Sequence, residues 1–130
     1  MTHRFSRTEL LIGEEGLNIV ARSHVAVFGV GGVGSYAVEA LARCGVGTLT
    51  LVDYDEVCIS NINRQVHALE STIGMVKVDI MAERVKQINP QAVVYPKQLF
   101  YRPGMDNDPL HAKLDYVIDA VDNVPAKLGI

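Results

Sequence analysis

The stretch FGVGGVGS, residues 28–35, decides how this chain is read. It follows HVAVFG (24–29), a short Val-rich apolar run that reads as a buried parallel strand. It opens onto a helical pattern over 34–44. Gly29, Gly31 and Gly34 have the G-x-G-x-x-G spacing, and Gly32 adds a fourth glycine. The first permits a tight turn, the second lets backbone approach a phosphate, and the third lets helix and strand pack closely. The free N–H groups at the helix start then face an anion. Asp53 closes the next strand, TLTLVD (48–53), where a carboxylate can accept hydrogen bonds from ribose hydroxyls. No G-x-x-x-x-G-K-[ST] is present, so a P-loop is excluded. The turn predicts a bound nucleotide, and both a redox dinucleotide such as NAD and ATP fit it.

Outward from the turn, strands and helices alternate. Residues 8–21 read as helical pieces anchored by Leu10, Leu11, Leu17 and Val20 and broken at Gly13 and Gly16. The helix over 34–44 places Val33, Ala37, Leu41 and Cys44 on one apolar stripe, with Cys44 in the core, and Gly45 and Gly47 end it. Residues 54–71 are irregular and polar. A helix over 75–88 turns Val76, Ile80, Val85 and Ile88 inward and stops at Asn89-Pro90. Strands follow at 92–96 and 114–120. Between them, 97–113 resists placement, apart from a short helical piece near Leu110, and receives no role. The order predicts an α/β fold: a Rossmann-like, mostly parallel sheet with helices on both faces. Such a sheet continues through further units, so the chain is expected to be truncated at its C-terminal side.

The 130 residues are 48% hydrophobic with a formal net charge of -3, which gives a real core and no broad basic face. No apolar run is long enough to span a membrane, and no signal peptide is read in MTHRFSRTELL. Cys44 and Cys58 match no zinc or redox spacing and fit a reducing, cytoplasmic setting.

The segment DYDEVCISNINRQVHA (53–68) separates the two nucleotide readings. It brings Asn61, Arg64 and Gln65 close after the second strand. Lys77 follows in the first turn of the next helix, where the helix dipole opposes a cation unless an anion sits there. Arg64 offers a fork of donors and Lys77 a point charge, together suited to a triphosphate. Asp119 and Asp122 lie past the last strand, at the edge where ligands bind, and Asp122 suits Mg²⁺. Paired cations and a metal-holding carboxylate fit ATP; NAD needs neither. Each charge taken singly reads as solvated surface, and either Asp as a cap, so the case rests on their convergence. His67, next to the proposed site, reads as making a local structural hydrogen bond, with contact to substrate as the alternative, and Tyr54 as packing against a base, a ribose or the strand end.

The motifs GVGGVGS, LVDYDEV, SNINRQ, GMVK and INP resemble the ubiquitin-activating (E1-like) adenylating enzymes, whose bacterial members include the ThiF, MoeB and HesA proteins. NINRQVHAL, GMVKVDIMAERVKQINP and YVIDAVD are similar to the tRNA threonylcarbamoyladenosine dehydratase branch (TcdA, or CsdL). The resemblance implies ATP and Mg²⁺ as cofactors. Gly31 and Gly32 would lie against the phosphates, Asp53 would bind ribose, and Asn61, Arg64 and Lys77 would contact phosphates, with Gln65 in the same element. Asp122 corresponds to the magnesium-binding aspartate. Arg7 corresponds to an arginine reaching the neighbouring subunit's site, which makes 1–23 a dimer arm, 24–130 an incomplete ATP-binding domain, and a homodimer the expected assembly. The implied reaction adenylates the threonyl carboxylate of N6-threonylcarbamoyladenosine in tRNA, and the carbamoyl group then closes a ring with net loss of water. A sulfur-relay protein is a further expected partner. The alternatives are adenylation of the C-terminal glycine of a ubiquitin-like sulfur carrier and, more distantly, an NAD(P)-dependent oxidoreduction.

Overall fold

The computed structural model describes residues 2–122, 127, 128 and 130. Four strands form one parallel sheet in the order β3-β2-β1-β4: β1 His24–Phe28, β2 Thr48–Asp53, β3 Val93–Gln98 and β4 Tyr116–Asp119. His24 stands opposite Thr48, and Val25 opposite Tyr116. The inner strands β1 and β2 are nearly all buried, as their unbroken apolar runs predict. Pro96 is accommodated because β3 is an edge strand.

Alternation along β1 sends Val25 and Val27 to one face and Ala26 and Phe28 to the other. The first face meets α2 (Gly32–Cys44) and α3 (Lys77–Ile88), which also pack on each other. Glu39 of α2 joins them by accepting from Arg84 Nε at 2.6 Å and Nη2 at 3.1 Å, and it also accepts from Arg43 Nε at 3.0 Å. Arg84, ahead of the opposing effect of burial, holds the Glu39 carboxyl below its ordinary value.

The second face departs from expectation. Among the described residues no α-helix covers it. Leu99, Tyr101, Met105 and Leu110, from the segment left without a role, close it instead, together with Leu114. Past the end of β3, that segment's one regular piece among the described residues is a 3₁₀ turn, Pro109–His111, at the helical position predicted near Leu110.

Three helix faces also correct the sequence reading. On α2 the buried residues are Gly34, Ser35, Val38 and Ala42, while Val33 is 75% exposed and Cys44 lies in solvent. The helix is turned by one position because its closest approach to the sheet needs small residues, and a count of apolar residues passes over Gly34 and Ser35. On α3 the buried set is Lys77, Val78, Met81 and Val85, since Val76 is extended and bridged to Glu56 before the helix begins. Helix α1 (Ser6–Ala21) kinks at Gly13, as expected, but runs through Gly16. Leu17 and Val20 are half-buried, whereas Leu10 and Leu11 are 85% and 87% exposed. The kink breaks the helical register, so the packed face does not extend to them. Among the described residues no helix is long and apolar enough to cross a membrane.

Candidate functional site

The site begins where β1 runs into α2. Gly29 has φ 91°, and a Cβ there would stand 2.5 Å from the Ala120 carbonyl oxygen. A Cβ on Gly34 would fall 1.6 Å from the Gly29 oxygen. Gly34 is therefore a packing residue, and it does not line the cleft above the turn. Gly29, Gly31 and Gly32 do line it.

Asp53 fastens the turn. Its Oδ2 accepts from the Val30 N–H at 2.7 Å, and its Oδ1 accepts from the Asp55 N–H at 2.8 Å. Each oxygen keeps a lone pair for a ligand hydroxyl.

The cleft holds about 730 Å³ and sits at the carboxyl edge of the sheet. Arg64 and Lys77, expected to converge, line it together with Asn61, Gln65 and Asp122. The Arg64 stem lies 3.7 Å from the position of a Cβ on Gly32. Its Nη1 donates to the Ser60 carbonyl at 3.0 Å and to Asn63 Oδ1 at 2.9 Å. Asn61 Oδ1 accepts from the Cys58 N–H at 2.8 Å, which holds the 3₁₀ turn Ile59–Asn61. Asp122 is exposed at the rim. Asp119 is engaged with Lys127 at 3.2 Å and takes no part in the cleft wall. Arg7 lies exposed in the first turn of α1, outside the cleft.

Two observations fit an anionic ligand. Lys77 is only 5% exposed, yet its recorded counter-charge, Asp55 Oδ2, is 3.9 Å away. A buried ammonium with so long a pairing is poorly compensated, and a phosphate beside it would relieve that. Burial first, and then Asp53, raises the Asp55 carboxyl against the pull of Lys77. Gln65, also buried, has an Oε1 with no hydrogen-bond partner among the described residues. A carboxamide can turn to offer a ligand either end. Among the described residues no group of three or more His, Cys, Asp or Glu side chains could hold a metal. Mg²⁺ does not require one, since it binds through one or two carboxylates plus substrate phosphates.

Sequence reasoning missed the apolar wall. Leu99, Phe100 and Tyr101 line the cleft beside Val52. Tyr54 meets Phe100 edge to face at 5.0 Å, and Tyr101 meets Phe28 the same way at 4.9 Å. The Tyr101 hydroxyl donates to Asp108 Oδ2 at 2.9 Å. Burial and Asp108 push that phenol up to about 12. The available signal was LFY directly after a strand, an apolar triplet at a sheet's carboxyl edge.

A glycine cradle, a strand-end acid and two cations from separate segments define a nucleotide-binding α/β protein. The ThiF family profile matches residues 5–130, and the chain belongs to the ThiF family. Within it the chain is 53% identical to the tRNA threonylcarbamoyladenosine dehydratase of Bacillus subtilis, over 100% of this chain and 51% of that protein. A crystal structure of the E. coli tRNA N6-threonylcarbamoyladenosine dehydratase in complex with ATP matches with TM-score 0.94 and 46% identity, over 97% of this chain and 52% of that one. The same enzyme in complex with AMP matches equally well. The E. coli molybdopterin-synthase adenylyltransferase is 34% identical over 95% of this chain and 50% of its own length. The chain thus stands nearer the dehydratases than that adenylyltransferase, and it spans about half the length of the curated relatives it matches.

Proposed function

We propose that this chain is the ATP-binding part of an enzyme that adenylates, and thereby dehydrates, N6-threonylcarbamoyladenosine in tRNA. The observation that carries the reading is the convergence of Arg64 and Lys77 on one cleft with Gly31, Gly32 and Asp122. A triphosphate carries more negative charge than a redox dinucleotide's pyrophosphate, and so gives the stronger reason for a buried lysine together with an arginine beside a glycine turn. The identity to the dehydratases supports the choice of substrate.

ATP supplies an adenylyl group that makes a carboxylate electrophilic, with AMP as leaving group. The protein's own residues align and compensate charge. The free lone pairs of Asp53 receive ribose hydroxyls, and the amides at the start of α2 receive phosphate oxygens. Arg64 and Lys77 face the phosphates and stabilise charge that grows during attack. Asn61 and Gln65 complete the polar wall, and Asp122 would hold Mg²⁺ against the phosphates. Among the described residues the cleft wall includes no Cys, Ser or His, which suits alignment over covalent catalysis.

In this reading 24–130 is the ATP-binding domain, and 1–23 is an arm that carries Arg7 to the other subunit of a homodimer. Leu10 and Leu11, in the open on that arm, are the kind of apolar surface a subunit contact covers. The setting is cytoplasmic, where ATP and tRNA meet, and a sulfur-relay protein is a further partner.

The test incubates the full-length protein with ATP, Mg²⁺ and modified tRNA, and follows the base by mass spectrometry. Loss of one water is the expected result. An unchanged base, with adenylation of a sulfur carrier's C-terminal glycine instead, overturns the choice of substrate.

A further inference from the structure

The cationic wall and the glycine cradle belong to different parts of the chain, so something must set the gap between them. Arg64 does not do so itself. Both recorded hydrogen bonds of its guanidinium stay within its own segment, to Ser60 and Asn63. Its approach to Gly32 is van der Waals contact only. Gln65 is no better tied, with its Oε1 unpartnered among the described residues.

His67 makes the connection. It is buried, and its Nε2 lies 2.8 Å from the carbonyl oxygen of Val30, inside the glycine turn. A carbonyl only accepts, so Nε2 carries the proton and Nδ1 is bare. Nδ1 is buried with no partner among the described residues, so a second proton would find no acceptor there. Burial likewise pulls His67 below the ordinary histidine value and keeps the ring neutral. Val30 is thus held through both flanking peptides: its N–H by Asp53 at the end of β2, its carbonyl by His67. The backbone of His67 is itself fixed, because its carbonyl accepts from Thr72 Oγ1 at 2.7 Å. A weaker second tie runs from the Val66 N–H to Ser35 Oγ at 3.3 Å.

We propose that His67 is a positioning residue that fastens the segment bearing Arg64 and Gln65 to the glycine turn, and so sets the spacing between Arg64 and the phosphate cradle. It touches no reacting atom. The inference rests on the nucleotide reading of the cleft given above.

The test uses the full-length protein and a fluorescent ATP analogue, with thermal denaturation run on each variant. His67→Gln keeps an N–H donor of similar reach; His67→Met fills the space without one. Loss of the bond should weaken nucleotide binding about tenfold in His67→Met, while His67→Gln stays within about twofold of wild type. A residue needed only for stability would lower the melting temperature of His67→Met but leave its folded molecules binding normally, and that result overturns the proposal. Equal weakening in both variants overturns it too. Should His67→Met fail to fold, His67→Asn, polar but too short to reach Val30, carries the same comparison against His67→Gln. Wild-type protein that binds no ATP analogue sinks the nucleotide reading itself, an outcome distinct from normal binding in every variant.

Discussion

The two faces of the sheet are closed by different means. One is covered by α2 and α3, where Val38, Ala42, Val78, Met81 and Val85 recur at helical spacing. The other is covered by Leu99, Tyr101, Met105, Leu110 and Leu114, with Pro103 and Pro109 between them. A helix satisfies its own backbone, so its packed face needs only apolar residues. An aperiodic cover must borrow side chains for that purpose. Asp108 does it here, accepting from the Tyr101 hydroxyl with one oxygen and from the Leu110 N–H with the other, each at 2.9 Å. The helical face holds the cradle in place, and the irregular face begins with the cleft's apolar wall.

The contrast can be broken first at its tightest point. Gly34→Ala drives a methyl into the Gly29 carbonyl, and the predicted loss of more than about 4 kcal/mol should leave no cooperative melt in circular dichroism. A variant melting near wild type would mean that α2 does not approach the sheet so closely. Met81→Ala on the helical face should cost about 2–5 kcal/mol in urea unfolding. Leu110→Ala, half-buried on the irregular face, should cost visibly less in the same assay; equal costs would erase the distinction between the faces. Lys77→Ala should leave the melt nearly intact and weaken ATP binding by about 2 kcal/mol, roughly thirtyfold, in calorimetry. Tyr101→Phe should cost about 1.5–2 kcal/mol, since it removes one bond to a buried carboxylate and keeps the ring.

The smallest effect is one of pH. Glu39 has its proton affinity lowered by Arg84 in the folded state. Its contribution is therefore complete above the ordinary carboxylate value and disappears as pH falls through the lowered one. Glu39→Gln should flatten that part of the melting-temperature profile, lowering the melting temperature at neutral pH and leaving the acid end little changed. A profile identical to wild type would mean that the α2–α3 ion pair does not stabilise the helical face.

The same contrast explains what was legible in the sequence. Unbroken apolar runs revealed β1 and β2, and the glycine spacing revealed the cradle. Lys77 was legible because a cation at a helix start is electrostatically out of place, and Arg64 because it lies in a polar stretch beside it. The inner face of α2 was misread because Gly34 and Ser35 pack by being small, a property that hydrophobic counting ignores. Cys44 went wrong with it. Leu10 and Leu11 carried the right composition, but the kink at Gly13 decides where they point. The irregular face was hidden because its five apolar contacts have no period to detect. The wall residues 99–101 were hidden with it, although they directly follow a strand. The bonds from Asp53 to Val30 and from His67 to Val30 span 23 and 37 positions, a range at which local pattern says nothing.

The double engagement of Asp53 restricts how such a protein can evolve. The acid proposed to receive a ligand's sugar also ties down two amides. An Asn in its place would turn an NH₂ toward one of those donors. Drift toward a different sugar must therefore begin elsewhere in the cleft, because altering this residue disturbs recognition and architecture in one step.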